Sequence, residues 1–147
     1  MILLKKGGDL FQSTAQTLVV PVNTVGTLGC GLAKAFDLRF DGLLAAYKKA
    51  CWNGTFATRG LFVFNVSEER KVLCFPTKRH WSQPSKLSWL DHSLGKLATD
   101  YESYGITSLA IPALGCGYGQ LKWETVLPLI KEHLDSLTID IEVYAPW

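Results

Sequence analysis

Three observations predict an α/β fold for this chain. Strand-like apolar runs alternate with amphipathic helical patterns, two of those runs are apolar enough to be buried on both faces, and each of the two leads into the same glycine-rich tetrapeptide. Strands interleaved with helices pack as helical layers over a sheet. The expected architecture is a three-layer α/β/α sandwich around a mixed, mostly parallel sheet of about six strands, with residues 1–147 forming a single domain.

In chain order, Ile2 to Lys6 reads as a short strand closed by Gly7 and Gly8. Thr17 to Val22 is a second, rich in β-branched residues, and its continuous run Leu18-Val19-Val20-Pro21-Val22 suits a central strand. Leu32 to Arg39 and Leu43 to Trp52 read as helices broken near Asp41-Gly42. Leu61 to Val66 and Lys71 to Phe75 are strands joined by a polar turn, Ser67 to Arg70. Leu87, Leu90, Leu94, Leu97 and Tyr101 recur at helical spacing and predict a helix over Ser85 to Tyr104, with Ser85 as N-cap and Gly105 as stop. Ser108 to Leu114 is a second central strand, Trp123 to Leu134 an amphipathic helix carrying Pro128, and Ile139 to Ala145 a last strand.

Composition narrows the function classes. With 48% hydrophobic and 19% charged residues the chain supports a sizeable core, which excludes a disordered tail or a disulfide mini-scaffold. No apolar run approaches the roughly 18 residues of a membrane span, and Met1 to Leu10 lacks the pattern of a signal peptide. A soluble, cytoplasmic, monomeric protein with no membrane partner is expected. Fifteen Lys and Arg against 13 Asp and Glu leave a net charge of +2 without a dense basic tract, so a local basic patch, not broad electrostatic capture, is the way to meet nucleic acid. Cys30, Cys51, Cys74 and Cys116 form no Cys-x-x-Cys pair and have no His at zinc-site spacing, so we expect reduced thiols, no metal and no cofactor.

The repeated tetrapeptides are Leu28-Gly29-Cys30-Gly31 and Leu114-Gly115-Cys116-Gly117. Each follows a buried strand and precedes a helix. Glycines let backbone N–H groups approach an anion, and a following helix adds the positive end of its dipole. Two such loops side by side suit a diphosphate; the plain alternative is a pair of tight turns. Neither is a Walker A loop or a dinucleotide-binding Gly-x-Gly-x-x-Gly fingerprint, which argues against P-loop hydrolysis and nicotinamide chemistry.

Gly8-Asp9-Leu10 after the first strand, Val22-Asn23-Thr24 after the second, Leu28-Gly29-Cys30-Gly31-Leu32-Ala33, and Ile111-Pro112-Ala113-Leu114-Gly115-Cys116-Gly117 together resemble the macrodomains, the ADP-ribose-binding fold. Phe75-Pro76-Thr77-Lys78-Arg79-His80-Trp81 and Leu121-Lys122-Trp123-Glu124 are similar to the macrodomains of the DarG antitoxins, which remove ADP-ribose from DNA bases, and more distantly to the terminal ADP-ribose glycohydrolases. Those antitoxins carry a further C-terminal region; this chain ends at Trp147, from which a free-standing enzyme is expected.

The resemblance implies that Asp9 accepts a hydrogen bond from the adenine amino group with Leu10 alongside, and that Asn23 binds the distal ribose. It implies that Gly29, Cys30, Gly31 and Leu32 wrap the diphosphate and distal ribose together with Leu114, Gly115, Cys116, Gly117, Tyr118 and Gly119. Thr77 borders the same site, and Tyr144 lines the adenine pocket. From the residues alone, Asp9 and Asn23 read as turn residues and Tyr144 as core. The resemblance makes Lys78 the catalytic group, attacking or stabilising the anomeric carbon, with His80 as acid, base or DNA contact. An ordinary lysine, with a pKa of about 10.4, is almost wholly protonated at neutral pH, so nucleophilic use needs cationic neighbours or desolvation. Without the resemblance, Lys78-Arg79-His80 reads as a solvated strand end.

One position departs from the pattern. Glycohydrolases acting on acidic side chains carry a catalytic Asp where this chain has Gly119, which argues against that protein-directed activity. The implied function is therefore hydrolysis of the N-glycosidic bond between ADP-ribose and a DNA base. Its partners would be ADP-ribosylated single-stranded DNA and a cognate ADP-ribosyltransferase toxin, with Arg79, His80, Trp81 and Lys86 as the patch that meets nucleic acid. The alternatives are a non-catalytic module binding ADP-ribose or a signalling metabolite, and a hydrolase of ADP-ribose 1''-phosphate or acylated ADP-ribose.

Overall fold

A computed structural model describes residues 2–57 and 60–146. Six strands form one sheet: β1 (Ile2–Lys5), β2 (Thr17–Val22), β3 (Phe62–Asn65), β4 (Lys71–Pro76), β5 (Ser108–Ile111) and β6 (Asp140–Tyr144). Their order is β1-β6-β5-β2-β4-β3, with every pairing parallel except β3 against β4. Four helices accompany them: α1 (Gly31–Arg39), α2 (Leu43–Trp52), α3 (Leu87–Asp100) and α4 (Trp123–Leu134). Among the described residues no helix is long and apolar enough to cross a membrane.

Alternation along the central strands sets the layers, because successive side chains leave a strand on opposite faces. Val19, Leu73, Phe75, Leu109 and Ile111 pack with Leu90, Leu94 and Leu97 of α3 and Val126, Ile130 and Leu134 of α4. Leu18, Val20, Val22, Val72, Cys74 and Ala110 pack on the opposite face with Phe36 of α1 and Leu43, Tyr47 and Ala50 of α2. The three-layer sandwich expected from the sequence is the one observed.

Two boundaries differ from expectation for identifiable reasons. β5 stops at Ile111 because Pro112 has no N–H to offer a ladder. The third helix begins at Leu87 with Lys86 at its N-cap, and Ser85 caps nothing: its hydroxyl is buried and donates to Thr77 Oγ1 at 3.0 Å. At that helix start Leu87 is exposed, so the apolar stripe begins only at Leu90. Gly105, at φ +72°, does close the turn after this helix, its N–H reaching the Glu102 carbonyl at 3.0 Å. Pro128 stays inside α4.

Because all but one of the strands run parallel, their carboxyl ends share one edge. β2 lies between β4 and β5, so the chain leaves it in one direction through α1 and α2 and returns past it through α3. That reversal of winding opens a crevice at the end of β2, the usual ligand position in open α/β sheets.

Replacing Leu94, fully buried between α3 and the sheet, by Ala should cost about 2–5 kcal/mol in urea unfolding. A cost under about 0.5 kcal/mol would mean that this layer is not packed as described.

Candidate functional site

A cavity of about 630 Å³ occupies that crevice. Pro21, Val22 and Asn23 at the end of β2, Thr77 and Lys78 at the end of β4, and the loop after β5 supply its floor and one wall. Gly29, Cys30, Gly31, Leu32 and Ala33, at the start of α1, form another. Among the described residues that line it, Lys78 is the one charged side chain and there is no carboxylate. The site therefore offers a positive end and neutral polar groups, complementary to an anion.

Both glycine loops converge on it. Cys30 is the N-cap of α1 and makes no side-chain cap bond, so the first-turn N–H groups of the helix have neither an intrahelical acceptor nor a cap. Gly31 stands at φ +59°, and a Cβ there would lie 3.1 Å from the Tyr118 ring. The two loops thus meet across the cavity through Gly31 and Tyr118, an aromatic that remains largely exposed. In the second loop Gly115 adopts φ +72° and its carbonyl accepts from Leu121 N at 2.8 Å.

Gly119 is the most constrained position. A Cβ at residue 119 would fall 2.3 Å from Ser85 Oγ and 2.5 Å from the Gly115 carbonyl oxygen. The Ser85 amide donates to the Gly119 carbonyl at 2.9 Å, which ties the second glycine loop to the segment ahead of α3. No side chain, acidic or otherwise, fits at 119 while Ser85 occupies this place. The absence of an aspartate here is thus built into the packing.

The segment from 77 to 86 is closed upon itself. Lys86 N donates to the Thr77 carbonyl at 3.0 Å, Gln83 N to the His80 carbonyl at 3.1 Å, and Ser82 N to His80 Nδ1 at 3.2 Å. Ser82 Oγ lies 2.7 Å from the same nitrogen, and the His80 and Trp81 rings stand 5.0 Å apart. His80 is accordingly a brace of its own loop, its imidazole held on Ser82, and it is not among the described residues that line the cavity. Lys78 does reach the cavity, with Nζ 3.5 Å from the Trp81 carbonyl, a loose contact that leaves the amine free to turn to a ligand.

Asn23 lines the cavity but is already engaged. Its Nδ2 donates to Thr27 Oγ1 at 2.7 Å and to the Thr27 carbonyl at 3.2 Å, and its Oδ1 accepts from Val25 N and Gly26 N at 3.1 Å. The buried Tyr47 hydroxyl reaches the same Oδ1 at 2.7 Å. In this arrangement Asn23 shapes the turn that carries the first glycine loop.

Of the remaining expected residues, Leu114 is fully buried in the core and is not among the described lining residues. Burial, with Glu124 adding to it, pushes the Cys116 thiol up to about 11, so it stays neutral and points to the Leu114 carbonyl at 3.6 Å. Asp9, Leu10 and Tyr144 gather at the ends of β1 and β6, outside the cavity lining. Asp9 Oδ1 caps the short 3-10 turn by accepting from Phe11 N at 2.9 Å, and Leu10 is core. Tyr144 donates to Glu142 Oε1 at 3.3 Å. The sequence did not point to Pro21, Val22, Thr27, Ala33, Ser85 or Ala113 as lining residues, and Trp81, expected in a patch that meets nucleic acid, also lines the cavity. A Pro-Ser pair before an amphipathic run reads as a helix cap, so nothing local signalled that Ser85 packs under a loop more than thirty residues away. Among the described residues no group of three or more His, Cys, Asp or Glu side chains converges on a metal position.

Comparison with known proteins places this geometry. The Macro domain family model matches residues 19–130. The DNA ADP-ribosyl glycohydrolase of Thermus aquaticus is 35% identical over 143 residues, covering 95% of this chain and 40% of that protein. The solved macrodomain of Thermus aquaticus DarG superposes with a TM-score of 0.91 at 34% identity, over 99% of both chains. Thermosipho africanus DarTG in complex with ADP-ribose gives a TM-score of 0.87 at 36% identity, over 95% of this chain and 40% of that one. The chain therefore spans about two fifths of the length of the DNA ADP-ribosyl glycohydrolases it matches.

Gly119→Ala should lower stability by about 1–3 kcal/mol in urea unfolding, as overpacking does. Adding Ser85→Ala should restore only part of it, because the Gly115 carbonyl still obstructs the new Cβ; full restoration would locate the whole clash at Ser85. Burial raises the Tyr47 hydroxyl far above its usual range, so on raising the pH the unfolded chain loses that proton first. This contribution to stability is intact below pH about 10 and is lost as pH climbs toward the folded value, at up to about 1.4 kcal/mol per pH unit. Tyr47→Phe should flatten the decline above pH about 10, measured by urea unfolding across pH; an unchanged slope would remove Tyr47 as its source.

Proposed function

This chain belongs to the macrodomain family, and we propose that it hydrolyses the N-glycosidic bond joining ADP-ribose to a base of single-stranded DNA. One observation carries the reading: a cavity formed by two glycine loops, in which Lys78 is the only charged residue and no carboxylate is found among the described lining residues. The uncapped amides at the start of α1 and the glycines of the second loop suit the diphosphate. Lys78 and Thr77, across the cavity at the end of β4, would then border the distal ribose.

Hydrolysis breaks the bond between the anomeric carbon and the base nitrogen. The base leaves with the electron pair and takes up a proton, and a water oxygen bonds to the anomeric carbon. Among the described lining residues no carboxylate is placed to serve as acid and base, so Lys78 is the residue assigned to this step. Gly119, closed by Ser85, leaves no room for the acid used on protein-linked substrates, which favours a nucleobase as the leaving group. The named activity of the Thermus aquaticus relative is of this kind. Asp9 and Tyr144, at the sheet edge beside the cavity, would take the adenine end. A transferase that places ADP-ribose on DNA must act before this enzyme, and such a transferase is the proposed partner.

The test incubates the protein and its Lys78→Ala variant with single-stranded DNA carrying ADP-ribose on one base and follows ADP-ribose release by mass spectrometry. The variant should lose about 10²–10⁴ in rate while keeping ADP-ribose affinity in calorimetry. Full turnover by the variant would remove Lys78 from the mechanism, and no release by the wild type alongside tight ADP-ribose binding would make the protein a binding module. Capture of an ADP-ribosyl adduct on Lys78 by borohydride would assign attack by the amine, and turnover without capture would assign it to charge stabilisation.

A further inference from the structure

A second cavity, of about 340 Å³, lies behind the first. Thr24, Cys51, Phe56, Ala57, Pro76, Arg79, Trp89, His92 and Ser93 line it. Its volume is at the lower end of the range of about 300–1,000 Å³ usual for small-ligand pockets. The partition between the two cavities is the pair of chain segments that follow β2 and β4. Thr77 N donates to the Val22 carbonyl, and Thr24 N to the Arg79 carbonyl, each at 3.0 Å. Thr24 Oγ1 reaches that same Arg79 carbonyl at 3.2 Å. Each segment contributes to both cavities: Asn23 to the first and Thr24 to the second, Thr77 and Lys78 to the first and Pro76 and Arg79 to the second. The cavities are therefore back to back, one residue apart across a hydrogen-bonded wall.

The chemistry of this second cavity is specific. Among the described residues neither the Arg79 guanidinium nor the His92 imidazole has a hydrogen-bond or ion-pair partner, and both residues are exposed. No carboxylate is among the lining residues. Trp89, half-buried on α3, and Phe56 add aromatic surface deeper in. An unpaired arginine next to aromatic walls matches a planar base together with its phosphodiester, through charge-assisted bonds and stacking.

We propose that this second cavity is a subsite for the nucleotide next to the modified one in single-stranded DNA, with Arg79 and His92 on its phosphate and Trp89 beside its base. The proposal rests on the reading of the first cavity as the ADP-ribose site of a DNA-directed hydrolase. It explains what that reading leaves unassigned: how a strand is gripped once its modified base enters a cavity that holds a single cation. Arg79 is then a binding residue for the strand, acting on the side of the wall away from the bond that breaks.

The test is made without turnover. Isotope-labelled protein, saturated with ADP-ribose to fill the first cavity, is titrated with unmodified d(T)6 at low salt and followed by NMR. The Trp89 indole signal and the Thr24 amide should shift together, and Arg79→Glu and His92→Glu, each with an unchanged thermal transition, should weaken d(T)6 binding at least fivefold. Absence of shifts at Trp89 and Thr24, or unchanged affinity in both folded variants, would overturn the subsite. Failure of the wild type to release ADP-ribose from a modified oligonucleotide would instead overturn the hydrolase reading, so the two fail on different measurements.

Discussion

Strand β2 has to be covered on both faces and paired on both edges, because Leu18, Val19 and Val20 leave it in alternate directions and are all buried. An apolar strand with that demand can only sit in the middle of a sheet, and here β4 and β5 flank it. The connections from it must then wind to opposite sides, and the crevice at its carboxyl end follows. The positions of both glycine loops and of Lys78 descend from this one requirement of burial. A change that loosened β2 would disturb the site before it touched a ligand-binding residue.

Within the crevice, shape is held by small groups packed against backbone. Ser85 joins the end of β4, through Thr77, to the second glycine loop, through the Gly119 carbonyl. Asn23 and Tyr47 do the same for the first loop, with a buried hydroxyl on α2 supporting the turn that precedes α1. Both devices satisfy polar groups that would otherwise be buried without partners. They also fix the loops before a ligand arrives, so backbone amides need little reorganisation to meet a diphosphate. Fixing the loops in this way has a chemical consequence: position 119 cannot hold a catalytic acid, and the charge in the cavity is left to Lys78.

The lysine stands on a wall shared by two cavities. At the end of β4 the chain gives one face of that wall a lysine and the other an arginine, so two adjacent residues of the same charge serve different spaces. The modest net charge of +2 is consistent with such local placement of charge.

Much of this was legible in the sequence, and the divide follows the range of the interactions. β2 was read with its observed limits and β4 to within one residue, since unbroken apolar runs and polar turns are local signals. The repeated tetrapeptide pointed to both walls of the cavity, because a glycine required for close approach or positive φ shows itself as a glycine. Strand alternation with helices determined the layers. What the chain alone left open were contacts between segments far apart in sequence. Ser85 looks like a helix cap until residue 119 is folded onto it. Asp9 and Tyr144 share the sheet edge with the site, yet only the register of β1 against β6 shows where they stand. Local propensity and periodicity decide the elements and their burial; which side chain faces which cavity is decided by tertiary packing, because one residue's shift along a strand end reverses its direction.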